Sequence, residues 1–215
     1  RFKNIMKLKN YLLLLALLLV VGVRAQVPSG NKYPKREFRG AGLQAVNGQF
    51  RGIPTERLKQ ILISQLNSLQ EAGINAIIFQ VRPEADALYA SQYEPWSRFL
   101  TGTQGQTPSP MWDPMQFMIE ECQKRNMEFH AWINPYRVET RGSASAEFPA
   151  LDPKIPASMV KDYNKIRVYN PALPEVQDRI AAIVKEIITK YDVDGLHMDD
   201  YFYPSLEKGE SLNDA

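Results

Sequence analysis

The chain of 215 residues holds one cysteine, Cys122, so no disulfide can form within it. A disulfide scaffold is excluded, and the fold must depend on its core. A basic surplus is also lacking. Five of the 26 Lys and Arg residues lie in residues 1–25, which hold no acid; the other 21 face 24 Asp and Glu. A protein that grips phosphates shows a basic excess, so no nucleic-acid partner is expected. The apolar run Tyr11 to Val23 has 13 residues, short of the ~20 that span a bilayer. There is no P-loop, no G-x-G-x-x-G fingerprint and no G-x-S-x-G elbow. His130 and His197 are the two histidines. With Asp199 and Asp200 they are suitable metal ligands by type. No H-x-x-x-H or paired-Cys spacing accompanies them, so neither metal nor cofactor is expected.

What is present begins with a leader. Lys7 and Lys9 follow Met6, the apolar run comes next, and Val23-Arg24-Ala25 precedes Gln26. Basic head, short apolar middle and a small residue at the cut describe a secretory signal peptide over residues 1–25. No cysteine stands at the cut, so lipid anchoring is not expected. The expected product is an exported protein, periplasmic or extracellular, with no stable membrane anchor. Residues 26–36, rich in Pro, Gly and Lys, read as a linker.

Strand and helix patterns then alternate. Phe38 to Val46 reads as a strand. Thr55 to Ala72 reads as a helix with Leu58, Ile61, Leu62, Leu66 and Leu69 on one face, Thr55 capping it and Gly73 ending it. Asn75 to Val81 is a nearly continuous apolar strand. Asp113-Pro114 supplies a cap and a first-turn proline for a helix with Met115, Met118, Ile119 and Cys122 in register. On that face Cys122 is expected to pack as a small hydrophobe. Glu128 to Pro135 is a third strand. Pro174 opens a third helix carrying Val176, Ile180, Ile183, Val184, Ile187 and Tyr191, with a weak cap at Leu173. Val193 to Tyr201 is a fourth strand, entered by a turn at Asp194-Gly195.

This order argues a parallel sheet with crossover helices. Helix-to-strand links are tight. The links after the second and third strands run to about 30 and 35 residues, against a typical ~2–6. Long loops leaving the carboxyl ends of strands are where α/β barrels build their sites. The expected fold is therefore an α/β, (β/α)8 TIM barrel over residues 37–215. Four strands instead of eight leave two readings, an open sheet or the first half of a longer barrel, and the second is favoured because four barrel strands alone would leave an open apolar edge.

The segment Asp194 to Pro204 (DGLHMDDYFYP) is the most informative. Alternate strand residues share a face. If Leu196 and Met198 meet the helices, His197 and Asp199 face the interior, and Asp200 sits at the strand's end. Adjacent carboxylates there are costly unless used or well hydrogen-bonded. The other strand ends are polar too, with Gln80, Arg82, Glu84 and Asp86 after the second strand and Asn134, Tyr136 and Arg137 after the third. Such a rim suits a polyol. Arg82 has a plainer reading, pairing with Asp86 or Glu84; Asn134 before Pro135 has one as a turn residue. Aromatics crowd the loops, and Trp96 and Tyr201 are the candidates for stacking on sugar faces. Trp132, mid-strand, reads as core.

FRGAGLQAV, QVRPEADALY, EPWSRFLTGTQG, HAWINPYRV and DGLHMDDYFYP resemble, in order, the glycosyl-hydrolase-like 10 family of bacterial proteins. The resemblance covers about residues 36–215. It implies an exported barrel glycosidase acting on bacterial cell-wall (peptidoglycan-type) or related glycan. The family domain runs to roughly 300 residues, which the resemblance makes longer than this chain. DGLHMDD is also similar to the fourth-strand segment of the α-amylase superfamily, which would place the nucleophilic aspartate at Asp199.

The expected activity is glycoside hydrolysis by two carboxyl groups, one ionised and one protonated. Asp199 is the candidate for the first, with Asp200 assisting. Gln80, Arg82, Asp86, Trp96, Asn134, Tyr136, His197 and Tyr201 are candidate substrate contacts. Glu84, Glu207 and Glu210 are poor candidates for the acid, which is expected on a strand beyond residue 215. Alternatives are a non-catalytic glycan-binding barrel and a metal-dependent carbohydrate hydrolase or deacetylase.

Overall fold

A computed structural model describes residues 37–143, 145–199, 204 and 209. The expected leader and linker lie outside the described residues, as do Asp200 and Tyr201.

Four strands, β1 (Gly40–Leu43), β2 (Ala76–Arg82), β3 (Glu128–Ile133) and β7 (Gly195–Met198), form one sheet in that order. Every pairing is parallel. The connections carry three helices, α1 (Thr55–Glu71), α2 (Pro114–Gln123) and α3 (Pro174–Lys190).

The helices form where the apolar spacing places them. α1 buries Leu58, Leu62 and Leu66. Its start differs from the sequence expectation. Pro54 occupies the cap, no side chain caps the turn, and Thr55 is instead the first helical residue, buried. Gly73 at φ +82° lets the chain turn directly into β2. α2 starts as expected, with the Asp113 carboxylate accepting from the Gln116 N–H and Pro114 in the first turn. It buries Met115, Met118, Ile119 and Cys122. Burial pushes the Cys122 thiol up to about 12, as for a packed side chain and not a nucleophile. α3 buries Val176, Ile180, Ile183 and Ile187 and, with Leu173 before it, has no side-chain cap.

Sheet parity positions everything else. Ile77, Phe79 and Val81 of β2 and Phe129, Ala131 and Ile133 of β3 are buried in one cluster with the helices. Ile78, His130, Trp132 and His197 occupy the opposite face and are half-buried. A doubly wound sheet would bury both faces in helices. Helices on one face of a sheet whose neighbours follow chain order are instead consistent with successive βα units of a partial α/β barrel.

The link after β3, expected as a loop, holds a sheet of its own. β4 (Arg137–Thr140), β5 (Val160–Tyr163) and β6 (Ile166–Tyr169) form a separate antiparallel sheet in the order β4-β6-β5. Asn164 at φ +28° and Lys165 turn β5 into β6, and Tyr163 pairs with Ile166. The link after β2 folds around a one-turn helix, Arg98–Thr101, whose Ser97 caps it by accepting from the Phe99 N–H.

Candidate active site

The inner face of the sheet carries two polar columns. Along β3 run Glu128, His130 and Trp132; along β7 run Gly195, His197 and, one residue past the strand, Asp199. The register sets His130 beside Gly195 and Trp132 beside His197. Gly195 is thus a strand residue, not only the entry turn. A Cβ there would lie 2.3 Å from His130 Nδ1, so only glycine leaves room for the imidazole. The turn is held by Asp194, whose carboxylate accepts from the Phe129 N–H at 2.8 Å.

The two imidazoles are bonded to each other. His130 Nδ1 lies 2.9 Å from His197 Nε2, and His130 Nε2 lies 3.1 Å from Glu128 Oε2. With the carboxylate accepting, His130 donates through Nε2, and its Nδ1 accepts from His197 when both rings are neutral. Burial and then the neighbouring His130 hold His197 below the ordinary histidine value. Phe38 stacks parallel to His197 at 6.5 Å.

Above this layer, at the carboxyl end of the strands, sits Asp199. Burial raises its carboxyl above the usual range; the Arg137 charge opposes that most, followed by N–H groups of its own backbone, Trp132 and Asn134. Oδ1 of Asp199, Nε1 of Trp132 and Nδ2 of Asn134 are each buried and lack a partner in strict hydrogen-bonding geometry. Trp132 is therefore not a core residue. It shares parity with Glu128 and His130 on the inner face.

Several expected substrate contacts are sealed away. Arg82 is 0% exposed. It pairs with Glu94 at 3.0 Å, not with Asp86 or Glu84, and donates to the carbonyls of Asn134 and Pro135. Asp86 is also fully buried, and its Oδ2 accepts from the Arg98 N–H at 3.1 Å. Burial, then the nearby Glu84, push the Asp86 carboxyl up to about 7. Gln80 is buried and its Oε1 accepts from the Ala45 N–H, tying down the link after β1. Asn134 is buried, and its Oδ1 accepts from the Arg137 N–H at 2.9 Å. These side chains are buried and held by partners within the chain. Trp96 and Tyr136 are half-buried against the core. His197 and Asp199 remain on the inner face; Asp200 and Tyr201 fall outside the described residues.

No second working carboxyl emerges beside Asp199 among the described residues. Glu84 is held by Arg98 at 2.8 and 3.0 Å. Glu94 is locked to Arg82. Burial raises Glu139 too, but a bulge in β4 turns it away. Arg137 pairs with Val168 and Glu139 with Arg167, so Arg137 and Glu139 face opposite sides of the small sheet. Among the described residues, no group of three or more His, Cys, Asp or Glu could hold a metal ion. None of the described helices is long and apolar enough to cross a membrane.

Comparison with known proteins bears on this arrangement. The chain is 41% identical over 192 residues to "Glycosyl hydrolase YngK" of Bacillus subtilis (strain 168), covering 86% of this chain and 37% of that protein. It is 43% identical over 173 residues to "Glycosyl hydrolase DigH" of Escherichia coli (strain K12), covering 75% and 39%. The chain therefore spans less than two fifths of these relatives. Among solved structures, it aligns with a maltogenic α-amylase AmyB from Thermotoga neapolitana at TM-score 0.47 and 11% identity, covering 76% of this chain and 39% of that one. A Thermotoga maritima α-fucosidase aligns at TM-score 0.42 and 14% identity, covering 64% and 28%. The family model described as Glycosyl hydrolase-like 10 matches residues 37–215, and the chain belongs to that family.

Proposed function

We propose that this chain supplies the first βα units of an exported glycoside hydrolase acting on cell-wall (peptidoglycan-type) or related glycan, with Asp199 as its ionised carboxylate. The observation that carries the reading is the position of Asp199. It stands on the inner face just past β7, at the carboxyl end of the strands, with the Arg137 charge favouring its ionised form. Two-carboxylate hydrolysis needs one such group at the anomeric carbon and one protonated group at the leaving oxygen. Asp199 attacks the anomeric carbon or stabilises the positive charge that develops there. Glu84, Glu94 and Glu139 do not serve as its acid, because two are locked in ion pairs and the third faces away. The proposal places the acid on a later strand, and Asp200 beside the substrate.

The test uses the full-length protein and purified cell-wall glycan strands, with products read by mass spectrometry. Asp199→Asn is expected to lower cleavage by about a thousandfold, in a variant that still unfolds cooperatively. Undiminished cleavage by the folded variant overturns the assignment. Glycan binding without cleavage by the wild type would favour a binding barrel, and loss of activity to a chelator would favour a metal-dependent hydrolase. The pH profile carries a sign as well. Asp199 must be ionised and its carboxyl lies above the usual range, so cleavage falls as the pH drops through that raised value. The acid limb is expected higher than an exposed aspartate would give. Export is tested by sequencing the amino terminus of the released protein, which is expected to begin after Ala25.

A further inference from the structure

Three buried polar atoms without partners in strict geometry meet at one place: Trp132 Nε1, Asn134 Nδ2 and Asp199 Oδ1. Buried N–H groups and carboxylate oxygens left unpaired cost stability, so such a coincidence calls for a reason. The register supplies one. Trp132 pairs with His197 and Ile133 with Met198. One step further along the same two strands, Asn134 comes beside Asp199. Both donors therefore stand on the neighbouring strand, one level with the carboxylate and one a layer beneath it.

The geometry points to Trp132 and Asn134 as positioning residues for Asp199: an indole N–H and a carboxamide N–H that form a two-donor cradle, fix one rotamer of the carboxylate and favour its ionised form. The inference rests on the reading of Asp199 as the working carboxylate and adds to it residues that act through it.

The cradle is itself held in place. Asn134 cannot rotate freely, because its Oδ1 accepts from the Arg137 N–H and its backbone carbonyl accepts from Arg82. That orientation leaves Nδ2 as the end turned to Asp199. Trp132 is fixed by the strand. Carboxylates held by several N–H donors titrate lower than free ones. The charged group acting on Asp199 from the small sheet is Arg137, at the start of β4. Below it on β3 and β7 stand His130 and His197, bonded to each other.

The test needs no substrate. Full-length protein labelled with 13C at aspartate carboxyls is titrated by NMR, with the Asp199 signal assigned by its loss in Asp199→Asn. Trp132→Phe keeps an aromatic wall and removes the N–H. Asn134→Leu removes the donor and adds no charge beside Asp199. Each is expected to raise the Asp199 midpoint by roughly one pH unit. A midpoint unmoved in both folded variants overturns the cradle. Where a variant fails to fold, the wild type decides. The Trp132 indole 15N–H resonance is expected to shift with the Asp199 midpoint, and a resonance flat across that range overturns the inference. A cradle that titrates in a protein that cleaves no glycan sinks the hydrolase reading alone.

Discussion

The two faces of the parallel sheet obey different rules. On the helix face, Ile77, Phe79, Val81, Phe129, Ala131 and Ile133 are sealed and apolar, and their partners come from three amphipathic helices. On the inner face, Glu128, His130, Trp132 and His197 are polar or amphipathic and open or half-open, and Glu128, His130 and His197 partner one another. The first face is held by area removed from water, at roughly 25 cal/mol per Å². The second is held by a few directed contacts of about 1 kcal/mol each. Packing loss should therefore unfold the protein, whereas loss on the inner face should first disturb the titration of its paired groups.

The most disruptive change on the helix face is Phe79→Ala. Phe79 is fully buried, with Phe50 and Phe129 each 6.1 Å away. The expected cost is about 3–5 kcal/mol in a denaturant titration. A cost under ~1 kcal/mol would show that the faces do not differ as described. Gly195→Ala probes the inner face. Its new methyl falls on His130, so the imidazole must move, at about 1–3 kcal/mol. The more specific readout is the His197 titration, which should change as the His130 contact is lost; an unchanged titration would contradict the pairing.

A third test concerns the rim. Asp86 titrates near 7 in the folded protein against 3.8 for the ordinary residue. The folded state therefore keeps a proton that the unfolded chain has released, and stability declines as the pH climbs from about 4 to about 7. Asp86→Asn should raise the melting temperature above pH 7 and change it little near pH 4. An equal shift at both pH values would refute the buried, raised carboxyl.

Much of this was legible in residue spacing. The three helices and four parallel strands follow from apolar periodicity, and the parity of Leu196 and Met198 against His197 and Asp199 is the one the register shows. The same parity rule, applied to β3, groups Trp132 with Glu128 and His130; reading it as core ignored that signal. The hairpin in VKDYNKIRVY also had one, the turn pair Asn164-Lys165 between two short runs containing Val, Ile and Tyr. Gln80, Arg82, Asp86 and Asn134 were a different matter. Their place at strand ends is visible in sequence, but whether a strand-end side chain meets solvent depends on how the following loop folds over it. Arg82 finds Glu94 twelve residues on, inside a loop with no periodicity to read.

That buried guanidinium reaches further than its own ion pair. Arg82 holds Glu94 from the crossing after β2 and two carbonyls from the crossing after β3, while Arg179 on α3 donates to the carbonyls of Tyr93 and Lys154 in the same two segments. The crossings are far apart in sequence yet riveted by shared cations. An insertion or deletion in either would have to keep those rivets, so the two segments are expected to resist length changes as one plate.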